Sequence, residues 1–214
     1  RKLSNALDFL ERRLGSSIEE ERSALPQTLA RYVLAEAGRD VPESLDTAFY
    51  EARETLGVTE RAYLALAWGV SDPQDSRVLS LLESLRADAA MSAGGAQWEE
   101  TEREHWVTST RATAVALDAF ARLAPDDPLI PQAVRRLMAA RTRDHWSTTQ
   151  ETAWAVMALT DAMVATGELN ADYEWGVAFN AEALDEGSVT AADVQTAMEY
   201  IIDADDLLRT SPNA

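Results

Sequence analysis

The sequence predicts a mainly α protein, an array of stacked helical hairpins followed by a short β segment. Three observations carry this. Apolar residues recur at helical spacing from Leu3 almost to Gly167. One stretch occurs twice, as His105-Trp106-Val107-Thr108-Ser109-Thr110-Arg111-Ala112-Thr113-Ala114 and as His145-Trp146-Ser147-Thr148-Thr149-Gln150-Glu151-Thr152-Ala153. The offset between the copies is about 40 residues, the size of one helix-turn-helix unit, and such units bury their apolar faces only by stacking. After Gly167 the period changes from 3.6 to 2.

Leu3, Ala6, Leu7, Leu10 and Leu14 make a first amphipathic helix, closed by Gly15. Beyond the acidic link from Ser16 to Arg22, Pro26 opens a second helix that carries Leu29, Tyr32, Val33 and Ala37 to a stop at Gly38. Pro42 and Ser44 start a third, with Leu45, Ala48, Phe49 and Ala52 on its apolar face. Gly57 and Thr59 punctuate the chain, and Ala62 to Trp68 is apolar nearly all round, which predicts an interior helix. Asp72-Pro73 opens a helix through Val78, Leu81, Leu82, Leu85 and Ala89.

From Met91 to Glu104 the pattern breaks into Ser-Ala-Gly-Gly and an acidic run around Trp98, predicting a long loop of the kind that carries function. A helix over 108–123 follows. Pro125, Pro128 and Pro131 mark a turn, and Ala133 to Ala140 is amphipathic, with Arg135, Arg136, Arg141 and Arg143 suiting its C-terminal dipole.

The stretch around Trp146 is the best marked. Thr148 and Glu151 stand in capping-box spacing, which makes Thr148 the N-cap. Thr152, Val156, Leu159 and Met163 follow at helical spacing, and Ala153, Ala155 and Ala158 let a neighbouring helix come close. Beyond Gly167, Tyr173, Trp175, Val177 and Phe179 alternate with smaller or polar residues as a half-buried strand. Asp185-Glu186-Gly187-Ser188 predicts a turn, and Met198, Tyr200 and Ile202 alternate again.

The charge balance narrows the partners. With 19 basic against 37 acidic residues the net charge is −18, a field that repels phosphate backbones and anionic headgroups, so nucleic acid is set aside. The absence of cysteine excludes disulfides, thiolate metal sites and a cysteine nucleophile. The start at Arg1 and the stop just after a strand-like run lead us to expect a piece of a larger protein. Part of an array exposes flanks that missing hairpins would cover, which predicts self-association of the isolated piece.

The Trp-x-(x)-Thr-x-x-Thr-Ala pattern on successive helices, Trp98 ahead of its first copy, and Gly167-Glu168-Leu169-Asn170-Ala171-Asp172-Tyr173 passing into a strand resemble the thioester-containing domain of the alpha-2-macroglobulin and complement family, its bacterial members above all. The resemblance implies that residues 1–167 are the C-terminal part of an α/α toroid. Residues 168–214 would be the opening strands of a macroglobulin-type β-sandwich domain. It implies a non-catalytic scaffold within a broad-spectrum endopeptidase inhibitor that traps proteases by conformational change after a bait segment is cut. The implied partners are the attacked proteases, through the full-length protein, and neighbouring macroglobulin domains. The implied location is cell surface, periplasm or secreted. The family's Cys-x-Glu-Gln thioester has no counterpart in this cysteine-free chain and would lie upstream of Arg1. No catalytic, metal-binding or cofactor-binding residue is assigned, and no cofactor.

Several residue groups stand as candidate sites. His105 and His145 each precede a Trp, and two imidazoles facing one pore would suit acid–base work or weak metal binding; their equivalence in the repeat favours a packing or capping role in each hairpin. Asp203-Ala204-Asp205-Asp206 spells the D-x-D-D of class II terpene cyclases, also α/α toroids, but follows the strand pattern as an acidic turn. Glu99, Glu100, Glu102 and Glu104 offer a glycosidase-like carboxylate pair, with a hydrated surface run as the plainer reading. An α/α-toroid enzyme, terpene cyclase or glycoside hydrolase, is therefore the alternative function. Trp68, Trp98, Trp106, Trp146 and Trp154 at helical and repeat spacing point to core packing over a ligand pocket.

Overall fold

The structure, a computed structural model, describes residues 2–14, 24–39, 42–52, 55–100, 108–168, 172–179 and 182–190. It is mainly helical and divides into two compact units, Arg1–Ala165 and Thr166–Ala214.

The first unit holds helices α1 (Lys2–Leu14), α2 (Ala24–Glu36), α3 (Pro42–Thr47), α4 (Val58–Gly69), α5 (Ser76–Ala87), α6 (Ser109–Leu123), α7 (Leu129–Ala140) and α8 (Thr149–Ala165). A π-helical turn, Ala48–Ala52, widens the end of α3, and a small antiparallel hairpin pairs β1 (Ala90–Ser92) with β2 (Gly95–Gln97). Local chemistry sets the helix ends. Asp75 caps α5 by accepting from the Arg77 N–H at 2.8 Å, so the helix begins later than the Asp72-Pro73 start expected. At the end of α2 the Gly38 N–H reaches Ala35 and the Arg39 N–H reaches Leu34, both at 2.9 Å, a Schellman pair that needs the positive φ of 70° at Gly38. The capping box of α8 is complete: Glu151 N–H donates to Thr148 Oγ1 and Thr148 N–H to Glu151 Oε2, each at 3.1 Å.

Packing follows an alternating order. α2, α4, α6 and α8 form a row in which each helix packs on the next, with α5 against α4 and α6, α7 against α6 and α8, and α1 against α2. Thr108, the N-cap of α6, meets the first turn of α8, and Arg122 near the end of α6 meets Glu36 at the end of α2. The helices of the row therefore run parallel, each outer helix carrying the chain back. α4, apolar nearly all round, is buried along almost its whole length, as its composition predicts.

Three local readings are corrected. The stretch expected as a long loop from Met91 opens with the β1–β2 hairpin, whose Gly95 lies so close to α7 that an added Cβ would come within 2.1 Å of the Gln132 carbonyl. On α8 the packed face is Glu151, Ala155, Ala158 and Ala162, while Val156, Met157 and Val164 are exposed. Small alanines bring α8 onto the Ala-rich α6, with Trp154 and Leu159 partly buried at the edge of the contact.

The third correction falls in the second unit, where β3 (Tyr173–Phe179) pairs antiparallel with β4 (Glu182–Val189). Residues Asp185 to Ser188 are strand, not turn: Gly187 sits opposite Trp175, whose ring would be 2.9 Å from a Cβ placed there. The glycine makes room for an indole lying across the ladder. The expected strand through Met198, Tyr200 and Ile202 lies outside the described residues. Among the described residues no helix is long and apolar enough to cross a membrane.

Candidate functional site

Side chains from alternate helices of the row meet over one face. Tyr63 of α4 lies 5.3 Å, ring to ring, from Trp154 of α8, and stacks at 5.8 Å on Tyr32 of α2. Arg122 of α6 donates to the Tyr32 hydroxyl at 2.7 Å and pairs with Glu36 of α2. α2 thus reaches α6 in front of α4, and α4 reaches α8 in front of α6. These aromatic and charged residues therefore share one face of the row.

The N-terminal end of the face is built by the repeat. Glu60, Arg111 and Glu151 are each the third residue of an inner helix, buried and alternating in sign. Arg111 donates to the Tyr63 hydroxyl at 3.2 Å, and Thr108 donates to Glu151 at 2.6 Å. Burial pushes the Tyr63 phenol up to about 12 against the opposing pull of Arg111, and burial likewise raises Tyr32. Neither phenol is a base near neutral pH.

The other end holds an acid pair. Asp118 of α6 has no exposed surface, and as a carboxylate neither of its oxygens meets a donor. Asp161 of α8 is its neighbour, each lying ten residues beyond the Thr108–Glu151 contact in its own helix, and a hydrogen bond between the two carboxyls requires a proton on one of them. Burial first, then the bond and charge of Asp161, push the Asp118 carboxyl up to about 8, with Arg122 pulling the other way. The Asp118 carboxyl is therefore held protonated at neutral pH. With no exposed surface it meets no substrate in this arrangement.

The residues singled out in the sequence are dispersed. His145 sits in an exposed turn, its backbone paired with Thr142 and its ring 2.9 Å from Asp144; His105 lies outside the described residues. Glu99 is exposed and takes a bond from Gln97. Glu100, expected as one of a hydrated run, accepts the Thr59 N–H at 2.6 Å and the Thr59 hydroxyl. Gly57, the N-cap of α4, has no side chain to do this, so a carboxylate distant in the chain caps the helix and faces its positive end. Glu102, Glu104, Asp203, Asp205, Asp206 and Trp106 lie outside the described residues. Among the described residues no three His, Asp or Glu side chains are grouped to hold a metal ion.

The tryptophans are placed by a shared device. Trp98 gives its backbone N–H to Thr113 at 3.1 Å and its indole N–H to the Leu85 carbonyl at 2.6 Å. Trp146 gives its backbone N–H to Thr152 at 3.1 Å and its indole N–H to the Leu137 carbonyl at 2.9 Å. Each ties the start of an inner helix to the preceding outer helix. Among the described residues Trp98 thus makes the same pair of bonds as Trp146, while Trp106, which the sequence repeat aligns with Trp146, lies outside them. Trp68 is buried beneath the Arg77 guanidinium, 3.6 Å from its ring, and Trp154 is half-buried beside Tyr63.

Sequence reasoning missed Tyr32, Tyr63, Arg111, Asp118, Arg122 and Asp161 as one face. One signal was present: Asp118 interrupts Ala-Val-Ala-Leu-Asp-Ala-Phe, a charge inside an otherwise apolar helix. No protein-family model matches this chain, and no curated protein matches it.

Proposed function

We propose that the chain is a non-catalytic scaffold segment of an alpha-2-macroglobulin-like, broad-spectrum endopeptidase inhibitor. Residues 1–167 would be the C-terminal part of its thioester-domain-like α/α toroid, and 168–214 the opening of the following β-sandwich domain. The observation that supports the reading is the contact between alternate helices of the row. Such contact, Tyr63 with Trp154 and Arg122 with Tyr32, is what a ring of inner helices requires and what a flat stack would not give. The twice-used Trp–Thr–carbonyl tie supports it, because it repeats one hairpin design along the chain. In this reading the segment holds the shape of a domain that moves as a body when a protease cuts elsewhere. The protein is extracytoplasmic, and its partners are proteases and adjoining macroglobulin domains.

The test is made on the full-length protein that contains this chain, challenged with trypsin. The expected result is loss of trypsin activity on casein with retention on a small chromogenic peptide, together with a cleavage-dependent change in sedimentation. Unchanged casein hydrolysis with no change of shape would refute the proposal.

A further inference from the structure

The seam between α6 and α8 contains the Asp118–Asp161 pair, and its surroundings are specific. Asp161 faces Asp118 from α8, in the register that the Thr108–Glu151 contact sets between the two packed helices, while Glu36 and Tyr32 act on it from α2, Tyr63 from α4, and Arg122 from α6 itself. Arg122 is engaged by Glu36 and Tyr32. Phe120, about 200° further round α6, packs on Trp98 with Arg86 of α5 over its ring, so that side brings no donor to Asp118. The pair is therefore faced by a carboxylate, two phenols and one guanidinium that is already occupied.

We propose that Asp118 and Asp161 form an acid-tightened clasp between α6 and α8, closed by one shared proton and loosened when that proton is lost. Two charged carboxylates are unfavourable together in this seam, because Asp118 is sealed from solvent and no donor meets its oxygens once both groups are charged. Closure of the seam therefore takes up a proton that the opened helices release. α8 is the helix able to respond, since within the row its backbone packs chiefly on α6 and it presents Val156, Met157 and Val164 outward. The clasp is a property of this unit and stands whatever the parent protein does.

The sign follows from linkage. The closed seam keeps its proton up to about pH 8, while an opened Asp118 releases it near 3.8. Opening then becomes easier by up to about tenfold per pH unit between those values, and the dependence levels off above them. The experiment is hydrogen exchange on the full chain at pH 5, 6, 7 and 8, corrected for intrinsic exchange, read in α8. The expected result is a protection factor that falls steadily across the series in the wild type and stays flat in Asp118→Asn, whose amide donates to Asp161 at every pH. Asp161→Asn offers Asp118 an N–H donor and is expected to shift the fall to lower pH. Should Asp118→Asn not fold, the wild-type slope and the carbon-13 carboxyl titration of Asp118 decide alone. A wild-type slope of zero, equal slopes in wild type and Asp118→Asn, or an Asp118 carboxyl that titrates near 4 would each overturn the clasp.

Discussion

Thr108, the N-cap of α6, donates its hydroxyl to the carboxylate of Glu151 at 2.6 Å, and Glu151 uses its other oxygen to close the capping box of α8. One buried carboxylate thus serves the starts of two successive inner helices. Replacing it removes both acceptors, so Glu151→Ala is expected to lower stability by about 2–3 kcal/mol, more than the ~1 kcal/mol of an isolated cap. Thr148→Ala, which breaks only the box, should fall near the smaller figure. Urea unfolding of the two variants separates these values.

The two indole ties should differ in strength. Trp98 is wholly buried and tilts against Phe120 at 5.8 Å, while Trp146 keeps slight exposure beside Arg141. Trp98→Phe strands the Leu85 carbonyl and leaves a void, with an expected loss of roughly 2–4 kcal/mol. Trp146→Phe should cost less. Thermal melts of both variants give the ordering, and equal losses would show that the void at Trp98 is not felt.

Glu100 caps α4 from a distance. Glu100→Ala should cost about 1 kcal/mol and speed exchange of the Thr59 amide selectively, leaving the middle of α4 unchanged. Uniform loss of protection along α4 would show that the contact is not a cap.

How much of this was legible depends on range. The capping box at Thr148 and Glu151 and the stop at Gly38 were readable because both partners lie within a turn of each other. Gly187 was misread for the same reason: Asp-Glu-Gly-Ser looks like a turn locally, and only the opposite strand supplies Trp175. That Trp98 makes the same bonds as Trp146 was hidden for a similar reason, because the segment between Trp98 and Thr113 is longer than that between Trp146 and Thr152. The face lined by Tyr63, Arg111 and Asp118 needed helices from separate hairpins to be brought together, and no local pattern encodes that.

The pH dependence of global stability has a definite sign. Asp118 has a folded value raised above its unfolded one, so the native chain holds a proton that the unfolded chain has released. Its contribution is fully present below about pH 4 and is lost as the pH rises toward 8. Asp118→Asn should therefore raise Tm by roughly 3–8 °C at pH 7 and leave it unchanged at pH 4. A variant less stable than wild type at pH 7, by calorimetry, would contradict this.

Neighbour-to-neighbour coupling along the inner row has a consequence for how the first unit comes apart. α4 and α6 each gain stabilisation from two flanking members of the row, whereas α8 gains it chiefly from α6. In such one-dimensional cooperativity a terminal member frays before an interior one, and each loss makes its neighbour the new terminus. A limited protease would then nick the chain near α8 before it reaches α4. Position along the polypeptide sets position in the order of release.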